Sequence, residues 1–101
     1  IQQRAIIISA SGMATGGRVI QHLYHRLPNP RNTILFAGYQ AAGTRGRDLT
    51  EGRTEVKMFG ELVPVKAKVQ LLEGLSAHAD RTELLQWLDQ FPKAPKQTFV
   101  V

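Results

Sequence analysis

Apolar residues follow two different patterns along the chain. Residues 5–10 and residues 33–37 are almost continuously apolar, as in strands whose two faces are both buried in a parallel sheet. In residues 18–27 and residues 81–91, apolar side chains instead recur every three or four positions, which is the spacing of one helix face. The alternation of such strands and helices predicts an α/β fold with a largely parallel sheet.

The middle of the chain adds shorter elements. A loop and a short helix near residues 46–51 precede a short antiparallel hairpin near residues 55–65, which turns at Gly60. A further strand is predicted from residue 66 toward residue 75, and the β-branched and aromatic residues 97–101 predict a final strand.

Capping residues specify the start of the last helix. Asp80 is the predicted N-cap, and Glu83 three positions later completes a capping box. His78 lies in the preceding loop, after a predicted strand, where α/β sheets collect ligands and reacting groups. Taken alone, a histidine at this place is either an active-site residue or a residue that caps or packs against the helix.

A glycine-rich turn joins the first strand to the first helix. Glycines let the backbone approach an anion, and the N-terminus of the helix presents unpaired amides. The turn is therefore either a phosphate contact or a tight connection, and it is neither a Walker A loop nor a dinucleotide fingerprint. The residues predicted to contact phosphate are Ser11, Gly12, Thr15, Gly16 and Gly17.

The basic residues of the first half are all arginines. Six arginines precede the first acidic residue, Asp48, in a chain whose formal net charge is +5. The planar guanidinium group suits phosphate oxygens, so this half favours a polyanion such as nucleic acid, with a solvated basic surface as the alternative. Arg45 and Arg47, in a glycine-punctuated loop, are the predicted contacts to the nucleic-acid backbone.

The composition excludes several kinds of site. The chain has no cysteine, which rules out disulfides and thiolate metal ligands. No apolar stretch approaches the roughly 20 residues of a membrane-spanning helix. No signal-peptide pattern is present, so we expect a cytoplasmic protein with no membrane partner. The spacing of His22 and His25 can hold a metal ion but is more typical of a helix surface, and we predict no metal site in this chain.

Three blocks of sequence carry a resemblance to a known family. They are Ser-Gly-Met-Ala-Thr-Gly-Gly-Arg at residues 11–18, Gly-Tyr-Gln-Ala-Ala-Gly-Thr at residues 38–44 and Ser-Ala-His-Ala-Asp at residues 76–80. With these blocks in this order, the chain resembles the C-terminal part of the β-CASP family of RNA-processing nucleases with a metallo-β-lactamase fold. The three blocks span nearly the whole chain, which makes them more specific together than any one alone.

The resemblance implies part of a metal-dependent RNA hydrolase that cleaves phosphodiester bonds, as an exonuclease or an endonuclease. His78 matches the family's motif B histidine, which is thought to protonate the leaving oxygen. The family holds two metal ions, normally zinc, on a His-x-His-x-Asp-His segment and further ligands. That segment is absent from this sequence, so we expect the zinc ligands to lie outside this chain and none within it.

The resemblance also implies a domain organisation. Residues 1–75 match the C-terminal part of a β-CASP-like domain, and residues 76–101 match the start of the return segment of a metallo-β-lactamase-like domain. We therefore expect a fragment of a larger enzyme that is inactive in isolation. The expected partners are RNA and an N-terminal metallo-β-lactamase domain, and a homo-oligomer is also possible. The alternative function is a non-catalytic RNA-binding or assembly module of the same fold.

Overall fold

The computed structural model describes residues 3–75 and 77–101. Its three helices and four strands confirm the predicted α/β class, and most boundaries lie within a few residues of the predicted ones. In chain order they are α1 (Arg18–Arg26), β1 (Thr33–Ala37), α2 (Arg45–Thr50), β2 (Glu55–Met58), β3 (Glu61–Pro64), β4 (Lys68–Leu72) and α3 (Arg81–Leu88).

The strands form two small sheets. β1 and β4 pair in parallel, from Thr33 opposite Lys68 to Ala37 opposite Leu72. β2 and β3 form the predicted antiparallel hairpin, with Val56 opposite Val63. Because β1 and β4 run in the same direction and in register, the loop after each of them starts at the same edge of the sheet.

One hydrophobic core joins α1, α2 and both sheets. The C-terminal end of α1 is anchored in it, because Leu27 is fully buried and its carbonyl accepts hydrogen bonds from the amides of Lys66 and Ala67, each at 2.9 Å. The Pro28 and Pro30 rings that follow prevent the helix from continuing. The buried hydrophobic residues are Ala14, Ile20, Leu23, Leu27, Phe36, Leu49, Val56, Met58, Val63 and Ala67.

A polar contact connects α1 to the hairpin at the surface. The Tyr24 hydroxyl donates a 2.6 Å hydrogen bond to the Glu61 carboxylate, and the Tyr24 ring packs edge-on against Phe59 with centroids 5.4 Å apart. The hydrogen bond and the negative charge of Glu61 raise the pKa of the Tyr24 hydroxyl. The contact therefore fixes the hairpin relative to the helix that follows the glycine-rich turn.

Two predicted strands are wrong. Residues 5–10 and residues 97–101 are in neither sheet, and Ile6 and Ile8 are 93% exposed where a buried strand was expected. A strand requires a neighbour for its amides and carbonyls, and within residues 3–75 and 77–101 neither segment has one. The apolar, β-branched composition of these segments therefore favours extended backbone but does not show which strand could pair with it.

The C-terminal part of the chain is exposed throughout. α3 begins with the predicted capping box, but its apolar residues Leu84, Leu85, Trp87 and Leu88 are 42–62% exposed. Trp87 packs edge-on against Phe91, with ring centroids 5.2 Å apart. In the part of the chain that the structure describes, no helix has the length and apolar character needed to cross a membrane.

Candidate functional site

The glycine-rich turn, defined as residues 11–17, lies against the loop that follows β1. Three donors from residues 40–46 hold three consecutive carbonyls of the turn. The Gln40 side-chain amide donates to the Gly12 carbonyl at 2.9 Å, and the Gly46 backbone amide donates to the Met13 carbonyl at 2.8 Å. The Arg45 guanidinium donates to the Ala14 carbonyl at 2.6 Å. Two of the three sequence blocks are thus in direct contact.

The turn has an unusual backbone, in which two residues other than glycine adopt left-handed conformations. Ser11 and Ala14 have positive φ angles of 65° and 54°, and Gly17, the residue before α1, has a φ of 77° that glycine adopts without strain. The Ser11 hydroxyl accepts a hydrogen bond from the Gly16 amide at 3.3 Å, and the Ser11 carbonyl accepts one from the Ala14 amide at 2.9 Å. Ser11 therefore organises the turn from within.

The two predicted phosphate contacts, Arg45 and Arg47, both have partners within the protein. Besides the Ala14 carbonyl, the Arg45 guanidinium donates through Nε and Nη2 to the Lys57 carbonyl, at 3.2 and 3.1 Å. Arg47 donates from Nε to Glu51 at 2.6 Å and from Nη1 to the Gln40 carbonyl at 3.1 Å, and its bond with Glu51 raises the pKa of the guanidinium. Direct contact of either arginine with nucleic acid stays a prediction.

A broad groove opens beside the turn. It lies between residues 3–12 on one side and β1 with part of α1 on the other, has a volume of about 1680 Å³, and includes Ser11 and Gly12 in its lining. The charged residues in that lining are all arginines, namely Arg4, Arg26 and Arg31. Much of the remaining lining is apolar and comes from residues 5–8 and 34–37. Positive charges without negative ones attract anions, so the arginine-bearing part of the groove favours an anion.

His78 lies in the exposed loop between β4 and α3. The predicted capping box after it is confirmed: the Glu83 amide donates to the Asp80 carboxylate at 2.8 Å, and the Glu83 carboxylate accepts from the Asp80 amide at 3.3 Å. The cap fixes the end of the loop that carries His78. The other end starts at the sheet edge shared with the loop after β1, and the Leu75 carbonyl is 3.9 Å from a Cβ built at Gly38. Ser76 lies outside the described residues.

No set of three or more His, Asp or Glu side chains that could hold a metal ion occurs among residues 3–75 and 77–101. His22 and His25 lie on α1 as predicted, and the ring of His25 packs edge-on against Tyr24 with centroids 5.2 Å apart. The described residues therefore do not fit the role of a zinc-binding cage.

Sequence reasoning missed Gln40 and Gly46. Gln40 is only 4% exposed and is the buried polar residue that reaches the turn. A Cβ at Gly46 would meet the Gln40 side-chain oxygen and would lie 2.9 Å from the Met13 carbonyl oxygen. The sequence offered no clear signal for Gly46, because it begins the helix predicted near residues 46–51 and the cost of glycine applies to a helix interior.

Comparison with known proteins supports the resemblance in both halves of the chain. Residues 1–49 match the model of the Beta-Casp domain, and residues 62–101 match that of the Zn-dependent metallo-hydrolase RNA specificity domain. The glycine-rich turn falls in the first match and His78 in the second.

Individual relatives match over most of the chain. Ribonuclease TTHA0252 of Thermus thermophilus is 42% identical over 87% of this chain, and the transcription termination factor FttA of Pyrococcus abyssi is 38% identical over 96%. The RNase J-like protein of Methanocaldococcus jannaschii is 40% identical over 94%. The chain spans 20%, 16% and 22% of these relatives, respectively. With two family models matching in order and relatives that agree with both, the chain belongs to the β-CASP family of metallo-β-lactamase-fold nucleases.

Proposed function

We propose that this chain is the RNA-binding and leaving-group part of a longer RNA-processing nuclease that hydrolyses phosphodiester bonds. The observation that carries the RNA-binding role is the groove that includes Ser11 and Gly12 of the glycine-rich turn and whose charged lining residues are all arginines. The family match and the names of the relatives, two of which are a ribonuclease and an RNase J-like protein, support RNA as the polyanion. We further propose that the protein acts in the cytoplasm.

The turn is proposed to contact RNA phosphates through Ser11, Gly12, Thr15, Gly16 and Gly17. Within the described residues, the backbone amides of Thr15 and Gly17 donate no hydrogen bond, and they lie just before the N-terminus of α1. Unpaired amides beside a helix N-terminus form a site that favours anions. The Arg47 guanidinium binds the carbonyl of Gln40, the residue whose side chain holds the turn, and so adds positive charge near it. RNA can compete with Glu51 for this guanidinium.

The groove makes a direct prediction about the salt dependence of RNA affinity. Replacing Arg26 and Arg31 together with glutamine should lower the slope of log affinity against log salt by about 1.4 for single-stranded RNA, because each arginine that neutralises a phosphate contributes about 0.7. Arg47→Gln should lower the slope by about 0.7. Affinity should be measured over a range of salt concentrations.

The matched control is Arg53→Gln, which removes one arginine whose side chain is 67% exposed and lies away from the groove lining. This variant should keep the wild-type slope. Equal slopes for the control, the double variant and the wild type would leave only a solvated basic surface, and the RNA-binding proposal would be abandoned.

His78 is proposed to act on the leaving group. A protonated imidazole beside the scissile phosphate can donate a proton to the departing oxygen, which would otherwise leave as an unfavourable alkoxide. His78 matches the histidine of the Ser-Ala-His-Ala-Asp block, and the capped helix after it limits where the loop can move. No metal-dependent step is assigned to residues of this chain, because the described part lacks a set of ligands.

The zinc proposed for the longer nuclease should therefore be absent from the isolated 101-residue chain. We expect elemental analysis of the purified chain to give far less than one zinc ion per molecule and expect RNA incubated with it to remain intact, since zinc sites need three or four correctly spaced ligands. One tightly bound zinc ion per chain, or cleavage that chelators abolish, would contradict both expectations.

The exposed apolar surface of α3 supports a partner within the longer protein. Leu84, Leu85, Trp87 and Leu88 are 42–62% exposed, and none of the residues of α3 is buried within the described chain, so this helix has apolar side chains that no other element covers. We propose that the N-terminal metallo-β-lactamase domain covers this surface, with residues 1–75 and 76–101 belonging to the two domains as predicted. The alternative is that a second copy of the chain covers the exposed surface of α3.

A second candidate function is a non-catalytic RNA-binding or assembly module of the same fold. One observation favours it: relatives of comparable similarity are named transcription termination factors. The two functions are separated by the sequence of the longer protein, because only a catalytic nuclease needs an intact His-x-His-x-Asp-His segment.

A further inference from the structure

Three consecutive carbonyl oxygens of the glycine-rich turn are held by residues 40–46. Carbonyl oxygens carry partial negative charge and repel phosphate, whereas backbone amides attract it. In this turn the Gly12, Met13 and Ala14 carbonyls are all occupied by donors. The Thr15 and Gly17 amides, by contrast, have no hydrogen-bond partner in the described chain. This division of polar groups is what an anion-binding turn requires.

Arg45 is the residue that connects the turn to the rest of the domain. Its half-buried guanidinium reaches the Ala14 carbonyl in the turn and the Lys57 carbonyl in β2 at the same time. Nε and Nη2 both point to Lys57, which leaves Nη1 for Ala14. A rigid planar fork can serve two acceptors in this way, and the single flexible ammonium group of lysine cannot reproduce it.

Gln40 holds the other end of the turn from a buried position. Its side-chain nitrogen donates to the Gly12 carbonyl at 2.9 Å and lies 3.4 Å from the Gly38 carbonyl. This side chain is uncharged, so any effect of Gln40 on RNA binding has to pass through the conformation of the turn and not through electrostatic attraction.

We propose that Arg45 and Gln40 are positioning residues that hold the glycine-rich turn in its anion-binding conformation, and that Arg45 does not itself neutralise an RNA phosphate. This inference rests on the proposed function for its effect on RNA. It replaces the direct phosphate contact predicted for Arg45 from the sequence with an indirect role, because three of its N–H groups already bind backbone carbonyls.

The test compares Arg45→Ala, Arg45→Lys and Gln40→Ala in the intact protein. All three should weaken RNA binding by a similar factor of about ten, the equivalent of losing one or two hydrogen bonds to a charged group or to the turn. The slope of log affinity against log salt should stay at the wild-type value, since no phosphate-neutralising charge is lost. Arg53→Ala serves as the control, because it removes the same charge from a side chain that pairs with Asp48 and, within the described residues, binds no carbonyl of the turn.

Hydrogen exchange at the Ala14 and Gly16 amides, which donate to the Ser11 carbonyl and the Ser11 hydroxyl within the turn, provides a readout that does not depend on RNA. Exchange at these amides should accelerate about tenfold or more in the three variants and stay unchanged in Arg53→Ala, with unaltered exchange in the core strands β2 and β3. Faster exchange in the turn together with weaker RNA binding at an unchanged slope supports the proposal.

Two results would overturn the inference. One is wild-type exchange in the turn of both Arg45 variants. The other is an Arg45→Lys protein that binds RNA like the wild type while Arg45→Ala loses about 0.7 from the slope, as a direct phosphate contact would. If the wild-type protein binds no RNA at all, the proposed function fails, and exchange in the turn still decides whether Arg45 and Gln40 position it.

Discussion

Replacing His78 with alanine should lower the rate of RNA cleavage by the intact nuclease by about 10²- to 10⁴-fold, the range expected when a general acid is lost. RNA affinity and metal content should change little, because His78 is proposed to donate a proton and not to bind zinc or to hold the fold. The rate should be measured in single turnovers, so that product release does not mask the chemical step.

A substrate with a good leaving group separates proton donation from other roles. A phosphodiester that releases a phenol of low pKa needs no proton on the departing oxygen, so His78→Ala should cleave it with much of the wild-type rate. His78→Gln should behave like His78→Ala, since an amide has no acidic proton to supply. Gln86→Ala, an exposed change on α3, should leave both rates unaltered.

Other results would assign His78 differently. Loss of zinc from His78→Ala would make His78 a metal ligand, and equal losses with natural and activated substrates would make it a structural residue of the loop. The second outcome would favour a purely structural interpretation of the Ser-Ala-His-Ala-Asp block.

The elements that could be predicted from the sequence are those whose signals are local. The capping box of Asp80 and Glu83 lies within four residues, and the helical face of α1 ends at a Pro-Asn-Pro sequence. The hairpin also depends on a short turn at Gly60, where the φ angle is 75°. Such features depend only on residues that are close together in the sequence, so periodicity and turn chemistry are sufficient to predict them.

The features that escaped prediction depend on residues far apart in the chain. The Arg45 guanidinium meets the Ala14 carbonyl across 31 positions, and Gln40 meets Gly12 across 28. A sequence shows that arginine suits phosphate, but it does not show which acceptor the fold brings to that arginine. The same limit explains the wrong strand at residues 5–10, whose composition favours extended backbone without identifying a neighbouring strand.

Gly46 offers the strongest structural test of how the turn is held. Gly46→Ala should destabilise the domain by about 1 to 3 kcal/mol, the usual cost of adding a methylene-sized group to a well-packed site. The new methyl group would meet the Gln40 side-chain oxygen and would lie 2.9 Å from the Met13 carbonyl oxygen and 3.0 Å from its carbon. Alanine exceeds glycine in helix propensity by about 1 kcal/mol. If α2 had space for the methyl group at this position, the substitution would therefore stabilise the domain.

Hydrogen exchange at the Gly46 amide, which donates to the Met13 carbonyl, measures the free energy of separating the turn from α2. The midpoint of urea unfolding measures the effect on the stability of the whole domain. Gly12→Ala is the matched control. A Cβ at Gly12 has no atom within 4 Å, and its φ angle is outside the positive region that restricts other residues. This substitution should change stability by less than about 0.5 kcal/mol.

A double variant identifies which contact causes the loss of stability in Gly46→Ala. Gln40→Ala removes the side-chain oxygen that the new methyl group would meet, so Gly46→Ala should be less destabilising in that background, with a coupling free energy of about 1 kcal/mol. Part of the penalty should remain, because the Met13 carbonyl belongs to the backbone and cannot rotate away. Strict additivity of the two substitutions would mean that Gln40 and Gly46 do not share this contact, and a stabilising Gly46→Ala would mean that the turn does not pack against α2 as described.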